Sequence, residues 1–228
     1  MVLFKVYGER NSGTNFLMEI LRKNNFPVQN EMIAKNIVYY WKHGIPRKDL
    51  KEEDDLVVDI IIFRRLDSWL VSMFKNVYHL KKFKHFNRFL TMPQKISHED
   101  LYDDKTGEHI NIDDDGKTIF EIRYFKFKKI MEYREEMDNV ILVSLEYLQN
   151  KESALKFLRE LNDRFMDNKK ETFISEIKYH TKNRKQLRKN LDYNINTDNY
   201  REIIDNNKNN EIENFINKLE YDIKSFEF

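Results

Sequence analysis

The stretch Gly8–Thr14 carries the residue types of an anion-binding loop. Its two glycines permit a tight turn and a close approach of the backbone to a ligand. The hydroxyls of Ser12 and Thr14 can donate hydrogen bonds to phosphate oxygens. The apolar run Val2–Tyr7 precedes the loop, and apolar residues at helical spacing follow it. A helix beginning there would direct main-chain N–H groups and the positive end of its dipole at one concavity, which predicts a phosphate-binding loop. An ordinary strand–turn–helix junction is the alternative.

This loop differs from that of a nucleoside triphosphatase at one position. It has the frame G-x-x-x-x-G, but Thr14 and Asn15 follow where such an enzyme has the lysine that reaches the β- and γ-phosphates. The difference disfavours hydrolysis of ATP or GTP. It leaves open the binding of another phosphorylated ligand.

Two arginines form a second candidate anion site. Arg64 and Arg65 follow the β-branched run Leu56–Phe63, which is typical of a strand buried on both faces. The carboxyl ends of such parallel strands border the crevice where α/β proteins bind ligands, and an arginine can grip phosphate with two parallel hydrogen bonds. Ser72 lies on the helix predicted over about 67–78. The alternative is that the arginines pair with surface carboxylates.

A histidine lies between the two sites along the chain. His43 follows a strand predicted over Asn36–Trp41, which we expect to end at the same edge of the sheet. A histidine there can accept the proton of a hydroxyl, and the adjacent Lys42 could neutralise charge on a leaving oxygen. A purely structural histidine is the alternative.

Composition restricts the other functional classes. The 40 Lys and Arg residues nearly balance 39 Asp and Glu, so a net charge of +1 gives no bulk attraction to nucleic acid or membranes. The absence of cysteine excludes disulfides, thiolate nucleophiles and cysteine-bound zinc, and no histidine spacing suggests a metal site. No apolar run of 18 residues or signal-like start is present, which predicts a cytoplasmic protein.

Alternating strand and helix patterns predict an α/β protein. We expect a three-layer, P-loop-like fold with a central parallel sheet flanked by helices, forming one domain over residues 1–228. The charged stretch 81–117 is interpreted as an insertion or lid, and 168–228 as a basic segment followed by C-terminal helices. The remaining predicted elements are helices at about 13–25, 118–136, 151–162 and 210–223 and a strand at 139–144.

These segments, in this order, resemble the superfamily of sulfotransferases that use 3′-phosphoadenosine-5′-phosphosulfate (PAPS). Arg10–Leu17 is similar to the family's phosphosulfate loop, of the kind P-K-S-G-T-T-W-L, and Trp41–Pro46 is similar to its K-T-H-L-P segment. Arg64 and Ser72 keep the eight-residue separation of the family's 3′-phosphate motif. Val143–Leu148 resembles its L-x-Y-E-D-L unit.

The resemblance implies a role for each matched residue. His43 would be the catalytic base, Arg64 and Ser72 would bind the 3′-phosphate, and no metal would be needed. The 5′-phosphosulfate end would be bound by the loop residues Gly8, Arg10, Asn11, Ser12, Gly13, Thr14 and Asn15. The family has a lysine or arginine where this chain has Asn11, so Arg10 or Lys42 would have to supply the cation.

The acceptor is not readable from the residues, and we expect a hydroxyl or amine of a small molecule or carbohydrate. One alternative is a P-loop kinase, for which Asp59 and Asp67 could offer carboxylates to magnesium. The other is a catalytically inactive module that binds a nucleotide or polysaccharide.

Overall fold

The structure is a computed structural model. It describes residues 2–29, 32–34, 37–40, 42–46, 56–76, 83–94, 117–166 and 200–223, with only the backbone of 32–34 and 37–40. Most of the segment interpreted as an insertion, and the basic stretch near 168–190, lie outside the described residues.

The described elements alternate between strands and helices. In chain order they are β1 (Val2–Gly8), α1 (Thr14–Lys23), β2 (Met32–Ala34), β3 (Ile37–Tyr40), β4 (Leu56–Phe63), α2 (Leu66–Lys75), α3 (Phe86–Thr91), α4 (Ile119–Glu136), β5 (Val140–Ser144), α5 (Leu145–Gln149), α6 (Lys151–Phe165), α7 (Arg201–Asn207), α8 (Asn210–Lys218) and β6 (Tyr221–Ile223).

The main sheet has the strand order β1-β4-β5-β6. β1 pairs with β4 in parallel along its whole length, and β4 pairs with β5 in parallel. The prediction of an α/β protein is confirmed, whereas the expectation of a wholly parallel sheet is wrong at one edge. There β6 runs antiparallel to β5 over residues that the helical pattern had assigned to a helix. α8 ends at Lys218, and Tyr221 then packs edge-on against Phe157, which favours an extended edge strand.

The strand predicted before His43 does not join this sheet. β3 pairs with β2 as a two-stranded antiparallel sheet, which satisfies its backbone hydrogen bonds locally. The chain nevertheless returns to the edge of β1 that faces away from β4, where the main-chain N–H of Gly8 donates to the carbonyl of Lys42 at 2.9 Å. The predicted strand is therefore in a different sheet, although the segment after it still reaches the tip of β1.

The two faces of the main sheet contact different helices, because successive side chains of a strand point to opposite faces. Val6 and Ile60 are buried in a cluster with residues of α1 and α6. Tyr7 and Ile61 are buried in another cluster with residues of α4 and α8. A third cluster joins α2, α3, the start of α4 and α7. α1 and α4 thus approach the carboxyl ends of the strands from opposite sides.

Five of the described helices overlap the predicted ones, namely α1, α2, α4, α6 and α8, whereas α3, α5 and α7 were not predicted. α3 packs its apolar residues Phe86 and Phe89 against Phe74 of α2, so this part of the segment interpreted as an insertion belongs to a core cluster. Among the helices that the structure describes, none has the length and apolar character needed to cross a membrane.

Candidate anion-binding site

The loop between β1 and α1 depends on its two glycines. A Cβ on Gly8 would lie 2.5 Å from the carbonyl oxygen of Ile62, in the neighbouring strand. Gly13 has φ 109, and a Cβ there would lie 2.7 Å from Leu145 Cδ1. Asn11 also has a positive φ of 62, which asparagine tolerates better than most residues. The tight turn predicted for this loop therefore has a steric cause at each glycine.

The N-terminus of α1 has main-chain donors without acceptors. Gly13 is the N-cap residue, and no side chain caps the helix. Within the described part of the chain, no acceptor is in hydrogen-bond range of the main-chain N–H groups of Gly13, Thr14 and Asn15. Such a group of orphan donors at the positive end of a helix favours an anion. The arrangement can therefore bind a phosphate or sulfate group.

The hydroxyl groups of the loop are less accessible than its amides. Ser12 is fully buried, and its Oγ has no hydrogen-bond partner in the described part of the chain. This oxygen lies 2.5 Å from the position that a Cβ on Gly8 would take. Thr14 is also buried, whereas Asn15 is exposed. The geometry thus favours the main-chain donors over the Ser12 hydroxyl as ligands of an anion.

The tip of β4 and the start of α2 hold the loop in place. Arg64 Nη1 donates to the carbonyl of Asn11 at 3.0 Å, and Arg64 Nε donates to Ser68 Oγ at 3.1 Å. The indole N–H of Trp69 donates to the carbonyl of Arg10 at 2.8 Å. The structure therefore brings the two sites predicted from the sequence into direct contact.

A carboxylate occupies the start of α2. The main-chain N–H of Arg65 lies 3.2 Å from Glu146 Oε1, and Ser68 Oγ lies 3.0 Å from the same oxygen. Partial burial lowers the pKa of Arg64, and the charge of Glu146 acts in the opposite direction. Ser72 lies one turn further along α2 and is half-buried, and its hydroxyl has no hydrogen-bond partner among the described residues.

His43 lies beside the loop on the other side of β1. Its Nδ1 is 3.1 Å from the carbonyl oxygen of Gly8. Because a carbonyl can only accept, this contact requires the proton on Nδ1, and the neutral ring then carries its lone pair on Nε2. The side chains of His43 and Lys42 are half-buried. The histidine can thus act as a proton acceptor next to the loop.

Behind the loop lies a buried ionic network that was not predicted from the sequence. Arg123 of α4 donates from Nη1 to Glu9, from Nε to Glu213 at 3.1 Å, and from Nη2 to the carbonyl of Arg64 at 2.8 Å. Its guanidinium also lies 4.7 Å from the centre of the Trp69 ring. Lys126, one turn later, donates to the carbonyl of His43 at 3.2 Å. One cation therefore joins the tips of β1 and β4 to α8.

Burial has the largest effect on the pKa of Glu9 in this network. Glu9 is only 5% exposed and Arg123 only 3%. Desolvation raises the pKa of Glu9; the charges of Arg123 and Lys126 oppose that shift, and Glu213 adds to it. One signal could have revealed the network, because Arg123 and Lys126 lie on the stripe of α4 that otherwise buries apolar residues.

Two cavities lie next to this network rather than at the loop. One of about 380 Å³ lies among α2, α4, α7 and α8 and is lined in part by Arg123, Tyr124 and Glu213. A smaller one of about 180 Å³ also has Glu213 in its lining. Neither lining includes a residue of 8–15. The loop is a candidate site because of its donors, not because it is enclosed.

The carboxylates considered for a kinase lie apart from the loop. Asp59 is buried opposite Lys5 in the β1–β4 pairing and accepts a hydrogen bond from the hydroxyl of Tyr133. It precedes Arg64 by five residues, roughly 16 Å along a strand. Asp67 is exposed on α2. In the described ranges, no group of three or more His, Asp or Glu residues could hold a metal ion.

Comparison of the chain with protein-family models, with curated proteins and with solved structures gave no match. The functional assignment therefore depends on the geometry of the loop and its neighbours.

Proposed function

We propose that the chain is a PAPS-dependent sulfotransferase with a three-layer, P-loop-like fold. One observation carries the proposal, namely that the uncapped start of α1 and the guanidinium of Arg64 lie together, joined by the 3.0 Å hydrogen bond to Asn11. A ligand with two anionic groups, such as a nucleotide phosphorylated at both 5′ and 3′ positions, matches this pair of donors.

Some of the loop residues match the groups of PAPS, and one does not. The main-chain N–H groups of Gly13, Thr14 and Asn15 would hold its 5′ end, and Arg64 its 3′-phosphate. The half-buried side chain of Asn11 donates to Met73 Sδ at 3.0 Å, so it does not provide the cation that the family has at this position. The cation would come instead from Arg10 or Lys42, as the sequence analysis proposed.

When bound, the nucleotide would supply a sulfuryl group attached to its 5′-phosphate. The protein would position the two anionic ends of the nucleotide, stabilise the charge that grows on the leaving phosphate, and remove a proton from the acceptor. His43 has the tautomer for the last task, because the Gly8 carbonyl fixes the proton on Nδ1 and leaves Nε2 basic. The acceptor would be a hydroxyl or amine of a small molecule or carbohydrate.

Binding and transfer test the proposal separately. We expect adenosine 3′,5′-bisphosphate to raise the melting temperature, and ATP with magnesium to raise it less. A ligand at 100 times its dissociation constant stabilises a protein by about 2.7 kcal/mol. Preferential stabilisation by ATP with magnesium would contradict the proposal and favour a kinase.

Two neighbouring arginines provide a matched pair of variants. Arg64→Gln should abolish most of the shift caused by the bisphosphate, because Arg64 contacts the loop, whereas Arg65→Gln should leave the shift unchanged, because that side chain is exposed. Transfer of labelled sulfate to a panel of acceptors should then be lost in His43→Ala. Bisphosphate binding without transfer to any acceptor would support the inactive nucleotide-binding module.

A further inference from the structure

Glu9 presents an electrostatic problem for an anion-binding loop. It is the residue directly after β1, its carbonyl accepts the main-chain N–H of Ser12 at 3.0 Å, and its carboxylate is almost fully buried. One carboxylate oxygen, Oε1, has no hydrogen-bond partner among the residues that the structure describes. An unpaired negative charge inside the loop would oppose the binding of a phosphate, and in a poorly hydrated environment this repulsion would be strong.

Arg123 is placed to remove this problem. It binds the Glu9 carboxylate from α4, on the face of the sheet opposite to α1, whose N–H groups point to the candidate anion site. The same guanidinium donates to the carbonyl of Arg64, so its position is fixed relative to both strand tips. Trp69 contacts both Arg123 and the loop, because its ring packs against the Arg123 guanidinium and its indole N–H donates to the carbonyl of Arg10.

We infer that Arg123 is a positioning residue for the anion site: it holds the Glu9 carboxylate on the α4 side, fixes the loop between β1 and β4, and neutralises the charge that Glu9 would otherwise direct at a bound anion. This inference rests on the proposed function only in that the loop binds an anion. Arg123 does not touch that anion; it acts through Glu9 and the Arg64 carbonyl.

Variants that replace a charged side chain by glutamine separate this positioning role from a purely structural one. We would measure the affinity of the full chain for two probes, inorganic pyrophosphate and adenosine 3′,5′-bisphosphate. Arg123→Gln should weaken the binding of both on the order of tenfold to a hundredfold, because the loop is displaced and Glu9 is left unpaired. Glu9→Gln should bind both at least as tightly as the wild type, because glutamine can still accept the hydrogen bond of Arg123 but carries no charge.

The double variant gives the sharpest result. Adding Glu9→Gln to Arg123→Gln should recover a large part of the lost affinity, since the unpaired charge of the loop is gone; Glu213, which also loses Arg123, lies on α8 and not in the loop. Arg134→Gln is the matched control on the same helix: Arg134 pairs with Asp222 instead of a loop residue, and its replacement should leave both affinities unchanged. A double variant that binds no better than Arg123→Gln, or an Arg123→Gln that binds as the wild type does, would overturn the inference.

A spectroscopic readout makes the test independent of any ligand. The chain has two tryptophans, so Trp41→Phe leaves Trp69 as the only indole reporter beside Arg123. In that background Arg123→Gln should shift the emission of Trp69, Arg123→Lys should shift it less, and Arg134→Gln should not shift it. If Arg123→Gln does not fold, Glu9→Gln decides the matter, because a tenfold loss of pyrophosphate affinity in that variant would contradict the neutralising role.

The outcomes for the two proposals can be told apart. A wild type that binds pyrophosphate but not the bisphosphate would contradict the nucleotide assignment and leave the Arg123 series fully interpretable. A wild type that binds neither probe would overturn both proposals. A wild type that binds both, with an Arg123 series that shows no effect, would overturn this inference alone.

Discussion

The start of α1 and the start of α2 are two versions of the same junction. Each follows a parallel strand of the main sheet, β1 or β4, and the two strands are neighbours. At α2 the anion comes from the chain itself, because the Glu146 carboxylate lies at the helix start and accepts from the Arg65 N–H. At α1 no side chain of the described residues accepts a hydrogen bond from the helix start. The junction that lacks an internal anion is the one suited to an external anion.

The loop's own carboxylate strengthens this contrast. Glu9 is close in sequence to the start of α1, but its carboxylate does not lie at that helix start in the way that the Glu146 carboxylate lies at the start of α2. Instead it contacts Arg123 on the opposite face of the sheet. The chain thus places one carboxylate at a helix N-terminus and directs the other away from one, and the second arrangement keeps the Glu9 carboxylate from opposing an anion at the start of α1.

The largest expected effect comes from Gly13→Ala. The positive φ of Gly13 and the 2.7 Å approach to Leu145 Cδ1 oppose any side chain there, so we expect a loss of roughly 3 kcal/mol in the free energy of unfolding. The corresponding N-cap residue of α2, Arg65, has φ −56, and Arg65→Ala should cost less than about 0.5 kcal/mol. Urea unfolding would measure both free energies of unfolding. Equal losses in the two variants would contradict a steric requirement for glycine at position 13.

Glu146→Ala should convert the α2 junction into one like α1. Removing the carboxylate leaves the main-chain N–H of Arg65 and the Ser68 hydroxyl without it, at an expected cost of about 1 kcal/mol in stability. Added sulfate should recover more stability in this variant than in the wild type, because it can replace the missing anion. Thermal melts of both proteins with and without sulfate would measure the added stability. Identical responses of the variant and the wild type would contradict the equivalence of the two helix starts.

A smaller effect concerns the pH dependence of stability. Burial raises the pKa of Glu9 above its usual value of 4.5, so the folded state binds this proton more tightly than the unfolded state does. The contribution of Glu9 to stability is therefore fully present below pH 4.5 and is lost as the pH rises through the folded pKa. Glu9→Gln should show a weaker decline over that window in urea unfolding, and a parallel decline would contradict the burial effect.

The sequence predicted those elements that are marked by a local residue pattern. β4 has the predicted bounds because its run of β-branched residues is nearly continuous, and the loop was found from two glycines between an apolar run and a helical pattern. The adjacency of Arg64 and the loop followed from the geometry of parallel strands. These are short-range or topological regularities, which one sequence can display.

Long-range pairings could not be predicted in the same way. The contact of Arg123 with Glu9 joins residues 114 positions apart, and its contact with Glu213 joins residues 90 apart. The periodic stripe of α4 indicates that Arg123 is buried, but no pattern in the sequence identifies its partners. For the same reason the sequence did not distinguish a β3 paired with β2 from one in the main sheet, or the edge strand β6 from the end of a helix.

The most direct test of the account is a titration with adenosine 3′,5′-bisphosphate followed by backbone amide NMR shifts. We predict saturable shifts of the amides of Gly13, Thr14 and Asn15 at the uncapped start of α1. Little change is expected for Asp67 and Ser68 in the first turn of α2, where Glu146 already provides a carboxylate. No shift at Gly13–Asn15, or equal shifts at both helix starts, would contradict it.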